Sequence, residues 1–236
     1  MKWPDDFINK IICGDCLEVM RKMPDKCVNL IIIDPPYGIS GYAQKEITHP
    51  GRKKPINLYF GDWDKFEDFR LLINESTRIL KRNGTIYIFV SYRIFGTVFD
   101  LLDKRFKRVS LFVWHKPNPA IQISKTSYLS SCELILWAHN EKHTFNFTNQ
   151  REMHNFWEGT YPMGKNRWKH PTAKPYNLIS HFIKVSSNEG DIILDPMMGS
   201  GVVLRVAKDL YRNFVGIEMN PEYCKIAEER LAQKVL

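Results

Sequence analysis

No stretch of the 236-residue chain approaches the ~18 uninterrupted apolar residues that a membrane-spanning helix needs. Its beginning, Met1-Lys2-Trp3-Pro4-Asp5-Asp6, lacks a signal-peptide layout, so a soluble cytoplasmic protein with no membrane partner is expected. Cysteine is also scarce. Cys13, Cys16, Cys27, Cys132 and Cys224 form an odd set spread thinly along the chain, which favours reduced thiols over a disulfide framework. Cys13-Gly14-Asp15-Cys16 has metal or redox spacing, but no second Cys-x-x-Cys pair exists to complete a zinc site, and no metal is expected.

What is present suffices for a full core. A 44% hydrophobic content over 236 residues suits one large α/β domain better than two small ones. Lys and Arg total 34 against 26 Asp and Glu, a formal net charge of +8, which favours a polyanionic partner without proving one.

The chain is organised around Val28-Asn29-Leu30-Ile31-Ile32-Ile33, an apolar run that stops at Asp34-Pro35-Pro36-Tyr37. Such a run reads as a strand buried on both faces, which puts the Asp34 carboxylate at the rim of a sheet. Two successive prolines stiffen the turn and leave carbonyls with no ladder to join. An exocyclic amino group on a nucleobase needs that arrangement before it can attack an electrophilic methyl group. Two acceptors, Asp34 and the Pro35 carbonyl, would hold its N–H bonds and draw the nitrogen toward tetrahedral geometry, while the Tyr37 ring stacks on the base. The plainer alternative is a strand-ending turn with a satisfied Asp.

A second strand-and-turn lies late in the chain. Ile192-Ile193-Leu194 leads into Asp195, the turn Met197-Met198-Gly199-Ser200-Gly201 and a helix over 202–210. Small residues there admit a ligand close to the backbone, and the helix N-terminus offers N–H groups to an anionic carboxylate. Phe214 to Ile217 forms the next strand and ends in Glu218, suited to accept hydrogen bonds from two ribose hydroxyls. Nicotinamide enzymes share this geometry, but their fingerprint wants a third glycine where Leu204 stands.

Asp34-Pro35-Pro36-Tyr37 resembles the catalytic motif of the amino-methylating DNA methyltransferases, and Asp195 to Gly201 resembles their S-adenosylmethionine motif. With the catalytic motif first and the cofactor motif last, the chain is similar to the beta-ordered members of that family. The resemblance implies S-adenosylmethionine as cofactor, held by Asp15, Cys16, Asp34, His170, Lys174, Asp195, Met197, Gly199, Ser200, Gly201, Glu218 and Met219. Within that set Asp15 meets the adenine end, and Lys174, in His170-Pro171-Thr172-Ala173-Lys174-Pro175, pairs with the methionine carboxylate. Asp15 reads equally as a helix cap. Family members usually carry Phe where Met197 stands. None of the five cysteines follows a proline, as the nucleophile of a ring-carbon methyltransferase commonly does.

The implied activity is methylation of adenine N6 in duplex DNA, with N4 methylation of cytosine or a non-catalytic nucleic-acid-binding subunit as alternatives. Double-stranded DNA is then the partner, and a homodimer and a cognate restriction endonuclease are expectations by analogy. Two stretches would touch DNA. The irregular loop 38–62 carries Arg52, Lys53 and Lys54, and a loop-rich insert over 141–170 interleaves Arg151, Lys165, Arg167 and Lys169 with His154, Trp157 and Trp168. Lys116, in the block Trp114-His115-Lys116-Pro117-Asn118-Pro119, is a further phosphate candidate, and His115 reads as hydrogen-bonded rather than catalytic.

Strand and helix patterns alternate from end to end. Helices are expected over 66–81, 93–103, 177–187 and from Asn220-Pro221-Glu222 to about Leu231, and strands over 11–13, 85–90, 109–115 and 134–138. The fold class is α/β: a doubly wound, mostly parallel, Rossmann-like methyltransferase sheet of about seven strands with helices on both faces. The strands over 109–115 and 134–138 are candidates for an antiparallel edge.

Overall fold

The computed structural model describes residues 1–35, 68–119, 126, 128–162 and 173–233. Pro36, Tyr37, the loop 38–62 with Arg52, Lys53 and Lys54, and Lys165, Arg167, Lys169 and His170 lie outside the described residues.

Eight strands form one sheet: β1 (Lys10–Cys13), β2 (Val28–Ile33), β3 (Leu80–Val90), β4 (Arg108–His115), β5 (Cys132–His139), β6 (Phe156–Glu158), β7 (Ile192–Asp195) and β8 (Asn213–Glu218). Their order across the sheet is β1-β8-β7-β2-β3-β5-β4-β6. One face carries α1 (Cys16–Met20), α2 (Asp68–Ile79) and α3 (Phe95–Asp103); the other carries α4 (Tyr176–Ser186), α5 (Val202–Asp209) and α6 (Pro221–Ala232).

Alternation along the strands divides the core between the layers. Ile31 and Ile33 of β2, Ile86 and Ile88 of β3, Leu194 of β7 and Val215 and Ile217 of β8 pack toward α1–α3. Leu30, Ile32, Tyr87, Phe89, Ile193 and Phe214 pack toward α4–α6. Because β2 is covered on both sides, it needs no polar face, and its continuous apolar run follows. Each of these side chains is essentially out of water, which is worth roughly 1.5–3 kcal/mol apiece before chain entropy is counted. Val28 breaks the alternation by facing α1–α3, because the β2–β3 register shifts between Val28 and Leu30; residues 81–84 of β3 take up the slack, so that strand begins at Leu80 rather than Thr85.

Two differences from the sequence-based expectation concern strand direction and number. β4 is not reversed. β5 alone pairs antiparallel among the described strands, with β3 on one side and β4 on the other, so the reversed strand is interior and not an edge. The count is eight because β6, three residues inside the aperiodic insert, adds to β4 in parallel.

The winding positions the site. From β2 the chain crosses through α2 to β3 on one side, and from β7 it crosses through α5 to β8 on the other. Right-handed crossovers that travel in opposite directions lie on opposite faces of a sheet, as α2 and α5 do. β2 and β7 are neighbours, pairing Leu30 with Ile193 and Ile31 with Leu194, so the reversal of winding falls between them. In open α/β sheets the ligand crevice lies at such a reversal, beyond the carboxyl ends of the strands.

Candidate active site

The rim above this crevice is acidic. β2 runs into Asp34, β7 ends in Asp195, β8 in Glu218 and β6 in Glu158, and the reversed strand β5 brings Glu133 from its beginning to the same rim. Asp34 and Asp195, 161 positions apart (195 − 34), thus terminate adjacent parallel strands.

Lys174, just ahead of α4, is 4% exposed, and its ammonium lies 2.7 Å from Asp34 Oδ2 and 3.4 Å from Glu133 Oε2. It also sits 4.8 Å above the Phe89 ring. Burial works against its charge, but Asp34 and Glu133 outweigh burial and hold it protonated, above the ordinary lysine range. Asp195 is 4% exposed and accepts from Met197 N at 3.1 Å. Burial pushes its carboxyl well above the usual range; nearby Asp34 and Glu218 push the same way, against Met197 N–H and Lys174.

The turn between β7 and α5 is built from both neighbours. Gly199 (φ 49°) and Gly201 (φ 72°) take left-handed conformations that L side chains resist. Glu218 accepts from Gly199 N at 3.0 Å through one carboxylate oxygen and from Asn220 N at 2.8 Å through the other. On the far side, Arg230 of α6, 6% exposed, donates to Ser200 O at 2.9 Å and to Ser200 Oγ at 3.1 Å. A Cβ on Gly201 would stand 2.7 Å from Ala227 Cβ, so Gly201→Ala meets both strain and a clash. The expected loss is about 1–3 kcal/mol, read as a lower urea midpoint with an unchanged slope.

The other residues singled out from the sequence fall as follows. Asp15 caps α1, accepting from Glu18 N at 2.9 Å, and lies next to β1, whose Cys13 pairs in register with Glu218; Cys16 is buried. Pro35 is buried, Met197 half-buried and Met219 exposed. Lys116 follows β4 with a side chain only 12% exposed and an ammonium 3.2 Å from Glu133 Oε1, in the wall of the crevice. His115 Nδ1 meets Glu158 Oε2 at 2.8 Å. Arg151 is exposed on the described part of the insert.

Sequence reasoning overlooked Glu133, Arg230 and Tyr161. Tyr161 stacks on Trp114 with centroids 6.0 Å apart and adds to the field at Lys174. Glu133 had one available signal, an acid among the first residues of an otherwise apolar strand.

Chemically, four carboxylates (Asp34, Glu133, Asp195, Glu218) face two ammonium groups, Lys116 and Lys174, both already engaged by Glu133 or Asp34. This gathering of acids suits a cationic ligand beside Asp195, as the sulfonium and α-ammonium groups of S-adenosylmethionine would be. Asp34 stands on the next strand as an acceptor for whatever meets that ligand. Among the described residues no cluster of three or more His, Cys, Asp or Glu could hold a metal, and no helix is long and apolar enough to cross a membrane.

Comparison with known proteins identifies the family. The family model described as DNA methylase, of the N6/N4 type, matches residues 28–229. The Type II methyltransferase M2.DpnII of Streptococcus pneumoniae is 36% identical over 245 residues, covering 94% of this chain and 90% of that protein. The Type II methyltransferase M.HinfI of Haemophilus influenzae is 32% identical over 256 residues, covering 97% and 70% respectively. The crystal structure of the M1.HpyAVI–SAM complex superposes with a TM-score of 0.72 at 29% identity, covering 95% of this chain and 99% of that one. With the family model spanning most of the chain and a relative 36% identical over nearly all of it, the chain belongs to the N6/N4 DNA methylase family.

Proposed function

We propose that this DNA methyltransferase uses S-adenosylmethionine to methylate the N6 amino group of adenine at a specific duplex sequence. The observation that carries the reading is the pairing of Asp34 and Asp195 on adjacent strand ends, with Lys174 bonded to the first and Glu218 beside the second. When bound, S-adenosylmethionine supplies a methyl group made electrophilic by its positively charged sulfur. Asp195 faces that charge, Glu218 accepts from the ribose, and the Gly199–Gly201 turn carries the methionine end.

The target amino group is engaged in pairing inside a duplex, so the base is extruded into the crevice at roughly a few kcal/mol. Asp34 accepts one N–H, the Pro35 carbonyl accepts the other, and Tyr37 stacks on the ring. Both N–H bonds would be held and the nitrogen lone pair turned toward the methyl group; the N–C bond would form as the C–S bond breaks, S-adenosylhomocysteine would leave, and the surplus N–H proton would pass by way of Asp34 to solvent. Asp at this first motif position favours adenine; cytosine-N4 enzymes more often carry Ser there. Arg151 and the basic residues at 52–54, 165, 167 and 169 supply phosphate contacts, and the 141–170 insert reads the sequence. A cognate restriction endonuclease fits the type II naming of the relatives, and a homodimer and action in the cytoplasm belong to the same proposal.

The test is to incubate the protein with methyl-labelled S-adenosylmethionine and duplex DNA, digest the DNA and identify the labelled nucleoside. N6-methyladenine is the expected product. N4-methylcytosine would replace adenine as the target, and no labelled nucleoside at all would overturn the reading.

A further inference from the structure

The reversed strand β5 places a residue at the crevice that neither motif contains. Its register sets Leu134 opposite Val90 of β3 and Glu133 opposite Trp114 of β4, so Glu133 emerges one residue beyond the end of β3. Its two carboxylate oxygens face different cations: Oε1 lies 3.2 Å from the Lys116 ammonium and Oε2 3.4 Å from that of Lys174. Each ammonium rests over a ring, Lys116 at 5.6 Å from the Trp114 centroid and Lys174 at 4.8 Å from that of Phe89. The result is a fixed line of alternating charge, Lys116–Glu133–Lys174–Asp34, whose last link is the 2.7 Å contact to Asp34 Oδ2.

We propose that Glu133 is a positioning residue for methyl transfer: by sharing the Lys174 ammonium with Asp34, it keeps the Asp34 carboxylate available to the amino group of the target base. The inference rests on the reading of Asp34 as the amino-group acceptor. The Lys174 ammonium donates to Asp34 at 2.7 Å while Glu133, at 3.4 Å, draws on the same buried charge; with Glu133 neutral the ammonium binds Asp34 more tightly and competes harder with the substrate N–H for the same lone pairs. Glu133 acts only through Lys174. It contributes to the rate and not to the affinity for S-adenosylmethionine, whose place is on the Asp195 and Glu218 side of the crevice.

The experiment compares the whole protein with its Glu133→Gln and Glu133→Asp variants, measuring single-turnover transfer to substrate duplex, calorimetric binding of S-adenosylmethionine and thermal melting. In Glu133→Gln, an isosteric change, the transfer rate should fall about 10- to 100-fold with cofactor affinity close to wild type, while the melting temperature drops because Lys116 and Lys174 lose a counter-ion. Glu133→Asp keeps the charge on a shorter arm and should recover part of the rate. A Glu133→Gln rate equal to wild type overturns the inference and leaves the functional reading standing. A rate loss that merely follows weaker cofactor binding, unrelieved in Glu133→Asp, also overturns it in favour of a structural role. A wild-type protein that transfers nothing to DNA overturns both readings.

Discussion

Asp34→Asn should lower the rate of methyl transfer by about 10²- to 10³-fold while S-adenosylmethionine still binds. An amide keeps one acceptor oxygen but replaces the other with a donor, which faces the amino group with like polarity and cannot neutralise Lys174. Asp34 Oδ2 lies 2.7 Å from that fully buried ammonium, so the loss extends to the fold. Removing one partner of a buried pair costs about 3–5 kcal/mol, and Glu133, 3.4 Å away, keeps the effect at the lower end. The paired readout is single-turnover transfer and urea unfolding. Asp34→Ala should be at least as damaging to both, because it leaves no oxygen at all.

Asp195→Asn should act in the opposite sense on stability. Asp195 is a buried carboxyl with Asp34 and Glu218 nearby, and its proton is held more tightly in the folded chain than in the unfolded one. Stability from such a group is complete below the unfolded value, about 3.9, and is lost as pH rises through the higher folded value. An amide is neutral at every pH and escapes that loss. The variant without cofactor should therefore melt about 2–4 °C higher near neutral pH, with the advantage shrinking as the pH is lowered toward 4. Affinity for S-adenosylmethionine should meanwhile drop about 10- to 100-fold, since a charge-assisted contact to a cation is gone. Melting curves over a pH series, with calorimetric titration of the cofactor, read both effects.

Such opposition between stability and binding is expected wherever like charges are gathered for a ligand. The carboxylates gather at the ends of strands whose interiors are largely apolar. Lys174 relieves part of the repulsion, and a cationic ligand would relieve more.

Local chemistry made much of this legible in the sequence. The six residues of β2 are apolar at all but Asn29, and the cause is visible in the fold: Ile31 and Ile33 meet one helical layer while Leu30 and Ile32 meet the other. Asp15 and Asn220 signal helix starts through side chains that accept from Glu18 N and Glu222 N. Asp195 and Glu218 at the ends of successive strands follow from an αβ unit whose length is set by one crossover helix. These signals are short-range, carried by residues within a few turns of one another.

What stayed hidden is long-range. A period-two pattern gives a strand but not its neighbours; 134–138 is a candidate for a reversed strand, as β5 is, but nothing in Leu134 to Ala138 places it between β3 and β4 rather than at an edge. The reversal alone takes Glu133 to the acidic rim; in a parallel strand its start would lie at the opposite end of the sheet. Lys174 stands 140 positions from Asp34 (174 − 34) and 41 from Glu133 (174 − 133), and its two counter-ions cannot be read from spacing. β6 is three residues long, below the length at which alternation registers, and its edge position depends on pairing of Val113 with Phe156.

A crystal structure of the protein with S-adenosylhomocysteine bound tests the common crevice most directly. The expected result is a ligand sulfur between the Asp34 and Asp195 carboxylates, with the ribose hydroxyls on Glu218 and the methionine end over the Gly199–Gly201 turn. A ligand seated at the amino ends of the strands, or on the far side of β8 from Asp34, would contradict the account.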